Sequence, residues 1–262
     1  MNGKNNPTAL LTDKSPVNQK NVGFDGDKGF DFLLYANDIR PGLGKSNADY
    51  LIALEKKVNN GTARANDLLK IAYKYDSLMI PILAGYYYRK AALKSPDEVK
   101  IWNNTGLNFF KSIEQVSTPE YIQYFTMLAI EAYEKVKKMD PSNLDAKANL
   151  AQCYIYTATG MPVEAIGILK ENLQVNPDHK LSLLYLAMGD KRIGQYDKAI
   201  DRFKRLIELD PGNVYYYPYL IGTYKDAGKL NEATSTFEKY KKLEKDPEFV
   251  SRVEALLHDN NK

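Results

Sequence analysis

The sequence predicts an all-α fold, five helix pairs stacked in a row with a capping helix at each end. Three observations carry this. First, residue types recur at a spacing of 34: Pro177 and Pro211, Ala165 and Ala199, Gly160 and Gly194. Gly228, Ala233 and Phe237 then repeat Gly194, Ala199 and Phe203 at the same spacing. Second, glycine and proline punctuate the repeat, with proline closing the segments LKENLQVNP and FKRLIELDP. Third, apolar residues between these marks keep helical spacing, as in Leu68, Ile71, Ala72 and Tyr75. A unit of this length cannot bury its apolar face alone, so its stability comes from stacking on neighbours.

Composition narrows the function. The chain has 262 residues, room for one large or two small domains, and 44% are hydrophobic, enough for a real core. The net charge of +3, from 36 basic and 33 acidic residues, is too balanced to imply a nucleic-acid or membrane-surface partner. A single cysteine excludes an intrachain disulfide and a cysteine-based metal site. Two histidines make a histidine-rich metal site or a double-histidine centre unexpected. No catalytic constellation, cofactor or metal is expected. Charge-free stretches such as Ser77–Tyr88 and Pro211–Tyr224 fall short of the roughly 20 apolar residues of a membrane span. The N-terminus lacks the apolar core of a signal peptide.

Element by element, residues 1–29 are rich in Asn, Gly, Lys and Asp and are expected to be a disordered tail. Residues 30–64 form a docking segment and N-terminal cap. Phe30–Tyr35 (FDFLLY) is an apolar island that should dock on the body, and Asp49–Val58 an amphipathic helix ended by Asn59-Asn60-Gly61. Gly42-Leu43-Gly44-Lys45-Ser46 has the ending of a phosphate loop, but Ile39 stands where that motif needs its first glycine. A Pro-Gly turn before a helix capped by Ser46 or Asn47 is expected instead. The repeated body, 65–247, divides into units 65–98, 99–143, 144–179, 180–213 and 214–247. The second has 11 residues in excess, between Phe110 and Tyr124, and the third two extra near Thr157–Thr159. Residues 248–262 hold a C-terminal cap helix, entered through Asp246-Pro247, and a tail. Small residues (Ala72, Gly106, Ala151, Ala187) should let helices approach closely, and large ones (Tyr75, Tyr88, Phe109, Tyr133, Phe203) should fill the gaps between units.

Trp102, Thr105, Gly106 and Phe109, with the period of 34, resemble the tetratricopeptide repeat (TPR) and its W-x₂-L-G-x₂-Y face. The resemblance implies a right-handed α-solenoid whose concave face is lined by the first helix of each unit. Two positions depart from the pattern: Asp190 stands where an aromatic is usual, and Asn172 where a small apolar residue is usual. Asn143–Pro211 and the terminal KDPEFVSRVEALL are similar to N-terminally anchored envelope TPR proteins of Bacteroidota. That likeness implies an envelope scaffold, periplasmic or envelope-associated if an anchor has been trimmed and cytoplasmic otherwise.

In the repeat register, the groove residues of the first units are Tyr73, Asp76, Asn103, Leu107, Phe110, Gln152 and Tyr156. Those of the later units are Leu184, Met188, Lys191, Arg192, Tyr215 and Lys225, with a basic patch toward the fourth unit. Aromatic residues, Met and Arg are enriched where proteins recognise one another. Tyr215 and Tyr219 should face the groove side. The family's carboxylate clamp is not expected, because of its slots (Leu69, Tyr73, Asn103, Leu107, Ala148, Gln152) only Asn103 agrees. Cys153 reads as a small buried hydrophobe, and His179 and His258 as solvated. The reading is a non-enzymatic scaffold binding a peptide or helix of another protein, without nucleic acid or membrane insertion. An RNA-binding helical repeat is the alternative.

Overall fold

The computed structural model describes residues 24–25, 29–157 and 162–258. It is all-α apart from one short strand pair, an α-solenoid of stacked helix pairs. The described chain divides into two compact bodies, one ending at residue 157 and one starting at residue 162.

The first body opens with strands β1 (Phe24–Asp25) and β2 (Gly29–Phe30), paired antiparallel. This pair lies within and just beyond the stretch expected to be disordered. The buried Phe30 ring anchors it, 5.3 Å from the Tyr121 ring and 5.1 Å from that of Phe125. The rest of the expected tail, like the expected turn at Gly160 and the two extra residues near Thr157–Thr159, lies largely outside the described residues. Helix α1 (Phe32–Ile39) follows, its first amides satisfied by Asp31, whose Oδ1 accepts from Leu33 and Leu34 at 3.1 and 2.8 Å. Phe32 stacks on Tyr86 at 4.4 Å. The FDFLLY island is therefore docked through its aromatic residues.

A 3₁₀ turn (Arg40–Leu43) leads to α2 (Lys45–Asn59). Neither Ser46 nor Asn47 caps α2. Gly44, at φ 77°, turns the chain into a helix that begins one residue before Ser46, and the Asn47 amide donates instead to the Leu43 carbonyl at 2.8 Å. Helices α3 (Ala65–Ser77), α4 (Pro81–Lys94), α5 (Val99–Ile113), α6 (Pro119–Met139) and α7 (Leu144–Thr157) complete the body. The excess of the second unit is spent on the connection 114–118 and on α6, a helix of 21 residues.

The second body holds α8 (Val163–Val175), α9 (Lys180–Arg192), α10 (Tyr196–Leu209), α11 (Tyr216–Asp226), α12 (Leu230–Leu243) and α13 (Pro247–His258). The third unit thus contributes α7 to one body and α8 to the other. Asp246 caps α13, its Oδ1 accepting from the Glu248 amide at 2.9 Å.

Two unusual residues find their partners here. Asn172, fully buried, donates to Ser182 Oγ at 3.2 Å, which in turn lies 2.8 Å from His179 Nδ1. His179 is therefore buried, not solvated, because its ring caps α9 by accepting from the Ser182 amide. Asp190 pairs with Arg202, tying α9 to α10.

Close helix approach rests on two glycines. A Cβ on Gly106 would lie 2.8 Å from the ring of Tyr133, which is fully buried, and one on Gly85 2.9 Å from the ring of Phe109. Gly167, exposed on α8, has open space around it. Alanine is the better helix former by about 1 kcal/mol, so the two sites should respond with opposite signs. Gly106→Ala is expected to lose about 1–3 kcal/mol, because the packed ring cannot move aside. Gly167→Ala is expected to gain about 0.5–1 kcal/mol. Urea titrations of both variants decide this, and shifts of the same sign would refute the packing role.

Candidate functional site

In the first body the first helices α3, α5 and α7 carry seven of the expected groove residues. On α5, Asn103, Leu107 and Phe110 recur at the spacing of one helix face, and all three are half-buried. Phe110 reaches Tyr156 of α7 edge to face, with ring centroids 6.1 Å apart. Tyr156 is half-buried, whereas Gln152, one turn earlier, is buried and offers a partner little surface. On α3, Tyr73 stands 49% exposed, with its ring 5.5 Å from that of Tyr88. Asp76 bonds the Tyr88 hydroxyl, and burial, then the charge of Asp76, hold that phenol well above its usual range.

In the second body the expected residues lie on α9, α11 and the turn before α11. Leu184 is buried, Met188 half-buried and Arg192 exposed. The basic patch is largely answered from within. Lys191 pairs with Asp226 at 3.2 Å, and Lys225 donates to the Leu256 carbonyl of α13. Tyr215 is half-buried and Tyr219 buried, with hydroxyls 2.9 Å apart, so Tyr219 packs inward where a groove position was expected.

Each body therefore presents its own cluster, apolar and aromatic in the first, mixed in the second. The sequence reading missed a cleft of about 490 Å³ between α2 and α3, lined by Tyr50, Lys70 and Lys74 together with Tyr73. The signal was present in the spacing, since Lys70, Tyr73 and Lys74 share one face of α3.

Cys153 is fully buried, and burial pushes its thiol far up, away from the thiolate a nucleophile needs. Among the described residues, no group of three or more His, Cys, Asp or Glu could hold a metal ion. Among the same residues, no helix is long and apolar enough to cross a membrane.

Solved structures decide the fold. TTC0263, described as a thermophilic TPR protein in Thermus thermophilus, superposes with a TM-score of 0.58 at 18% identity, covering 74% of this chain and 99% of that one. The chain has the tetratricopeptide-repeat fold. A MamA fragment from Desulfovibrio magneticus RS-1 is also similar, with a TM-score of 0.52 at 16% identity over 68% of this chain and 94% of that one. A second MamA structure reaches a TM-score of 0.50 at 20% identity, over 66% of this chain and 93% of that one. No protein-family model and no curated protein matches the sequence. The likeness is thus one of fold. In that TPR fold α3, α5, α7, α9 and α11 are first helices, and the expected groove residues sit on them or at their ends.

Proposed function

We propose that this chain is a non-enzymatic protein–protein interaction scaffold whose first-helix faces dock a peptide or helix of another protein. One observation carries the reading: the α5–α7 face, where Phe110 meets Tyr156 beside Leu107 and Asn103, all only half covered by the chain itself. Aromatic side chains held rigidly against one another offer large contact area at little entropic cost, which suits a recognition hot spot. The envelope placement rests on the sequence likeness to anchored TPR proteins, and cell fractionation tests it.

Cross-linking in native cells, followed by mass spectrometry, tests the scaffold reading. Cross-links should run from the first-helix faces to one partner protein. Phe110→Ala with Tyr156→Ala should then weaken that partner about tenfold or more, a loss of about 1.4 kcal/mol or greater. A partner unmoved by the double substitution sinks the assigned face. A salt-sensitive complex with single-stranded RNA in place of any protein would replace the reading altogether.

A further inference from the structure

Helices α2 and α3 leave a shallow, open cleft of about 490 Å³ between them. Tyr50 on one wall is 46% exposed and Tyr73 on the other 49%. Folding has left two large rings half in water on facing helices, although neighbouring tyrosines such as Tyr75 and Tyr87 are buried. Ser46 and Ser77 add hydroxyls at the rim.

Charge gives the cleft its sign. Its only ionisable cations are Lys70 and Lys74, and none of its lining residues is acidic. Among the described residues neither lysine has a carboxylate in ion-pair distance. Asp67, one turn before Lys70, is engaged by Lys57 at 3.0 Å and by the Arg64 amide at 3.1 Å. The Lys74 ammonium stands 6.0 Å from the centre of the Tyr50 ring, at the outer edge of a cation–π contact, so it remains available to an anion. Two ammonium groups, Lys70 feeling the Asp67 charge only at longer range than an ion pair, and two exposed rings share one open surface.

We infer that this cleft docks an acidic peptide segment, Lys70 and Lys74 taking its carboxylates and the Tyr50 and Tyr73 rings gripping an apolar anchor residue between them. The inference rests on the scaffold reading and extends it to the chemistry of the partner. Ammonium groups at a rim bring on-rate and charge selectivity, and the aromatic walls supply the contact area. A nucleic-acid strand fits less well, because a strand needs a row of cations along its backbone and the cleft holds two.

Panning randomised hexapeptides displayed on phage against the full chain tests this. The expected outcome is enrichment of Asp and Glu around an aromatic or leucine residue. Synthetic copies of the enriched peptides should bind about tenfold more weakly to the Lys70→Glu, Lys74→Glu double variant. Tyr50→Ala should also weaken them, and amide (Asn/Gln) versions should bind weakly to the unaltered chain. Lys70 is exposed and Lys74 half-buried, and circular dichroism confirms that the variants keep their helices. Enrichment of neutral or basic peptides, no enrichment, or acidic peptides indifferent to charge reversal each overturn the inference. If such peptides bind and respond to Phe110→Ala but not to Lys70→Glu with Lys74→Glu, the scaffold reading stands and this cleft falls. If no peptide is enriched and no partner cross-links, both fall.

Discussion

Replacing Glu55 by alanine is expected to destabilise the first body by about 3–5 kcal/mol, toward the lower end of that range. Glu55, a residue 8% exposed, is the knot between the cap helix and the first pair. Its Oε1 accepts from the Tyr75 and Tyr87 hydroxyls, each at 3.0 Å, and its Oε2 accepts from Arg40 at 2.6 Å. Arg40 in turn donates to Asn37 Oδ1 at 2.7 Å. Desolvation first, then the charge of Glu55, holds both phenols well above their usual range, so they stay protonated and donate. Alanine would leave two buried hydroxyls and a guanidinium without their acceptor. The Arg40 side chain is 20% exposed and can recover water, which is why the lower end is expected. Glu55→Gln keeps its one carbonyl for the tyrosines only by turning its amide NH2, a donor, toward Arg40, and should lose about 1–2 kcal/mol. Urea titration gives the totals, and hydrogen exchange should show α2 opening before α5 and α6. A Glu55→Ala loss below about 1 kcal/mol would show that the knot is dispensable.

How much of this was written in the sequence depends on the physics of each element. The pairs α9–α10 and α11–α12 were legible because their turns use Gly194 and Gly228 at φ 77° and 73°, a conformation glycine reaches without strain. The first pair hides the same turn, because Met79 occupies the left-handed conformation there at φ 58°. Helical periodicity still exposed it through Leu68, Ile71, Ala72 and Tyr75, all buried as a face. What pattern cannot show is which polar groups meet across helices. Glu55 reads as one charge on an amphipathic helix, and its partners lie 20 and 32 residues away on α3 and α4. Asn172 likewise looks like a departure from the repeat, and His179 like a solvated turn residue, until the helices bring both to Ser182. The candidate site divides the same way. The α5 face followed from register alone, and Phe110 and Tyr156 do meet. The basic patch did not, because register places Lys191 and Lys225 on one face without revealing that Asp226 and the Leu256 carbonyl take up their charge.

Phe109→Ala should match the Glu55 variant in size, with a loss of about 3–5 kcal/mol. Phe109 is fully buried at the centre of the first body's aromatic cluster. One edge of its ring fills the space left by Gly85 of α4. Its face stacks on Phe125 of α6 at 6.1 Å and 18° between planes, and Phe32 of the docked N-terminal segment lies 6.3 Å away. The residue therefore touches α4, α6 and the docked segment at once. Truncating it removes the ring's burial and opens a cavity that the flanking helices can close only partly, since α4 and α5 are already as near as Gly85 permits. Phe109→Leu retains most of the volume and should lose about 1–1.5 kcal/mol. Met127→Ala, on the exposed side of α6, should stay within about 0.5 kcal/mol of the original chain. The pattern expected in urea titration is thus a steep order, alanine at 109 far below leucine and Met127→Ala near zero. Because Phe32 leans on the same cluster, the alanine variant should also speed hydrogen exchange in α1 while leaving the second body's helices unchanged. Equal losses for Phe109→Ala and Met127→Ala would mean that the cluster does not hold the pairs together, and that stacking between units draws its stability from elsewhere.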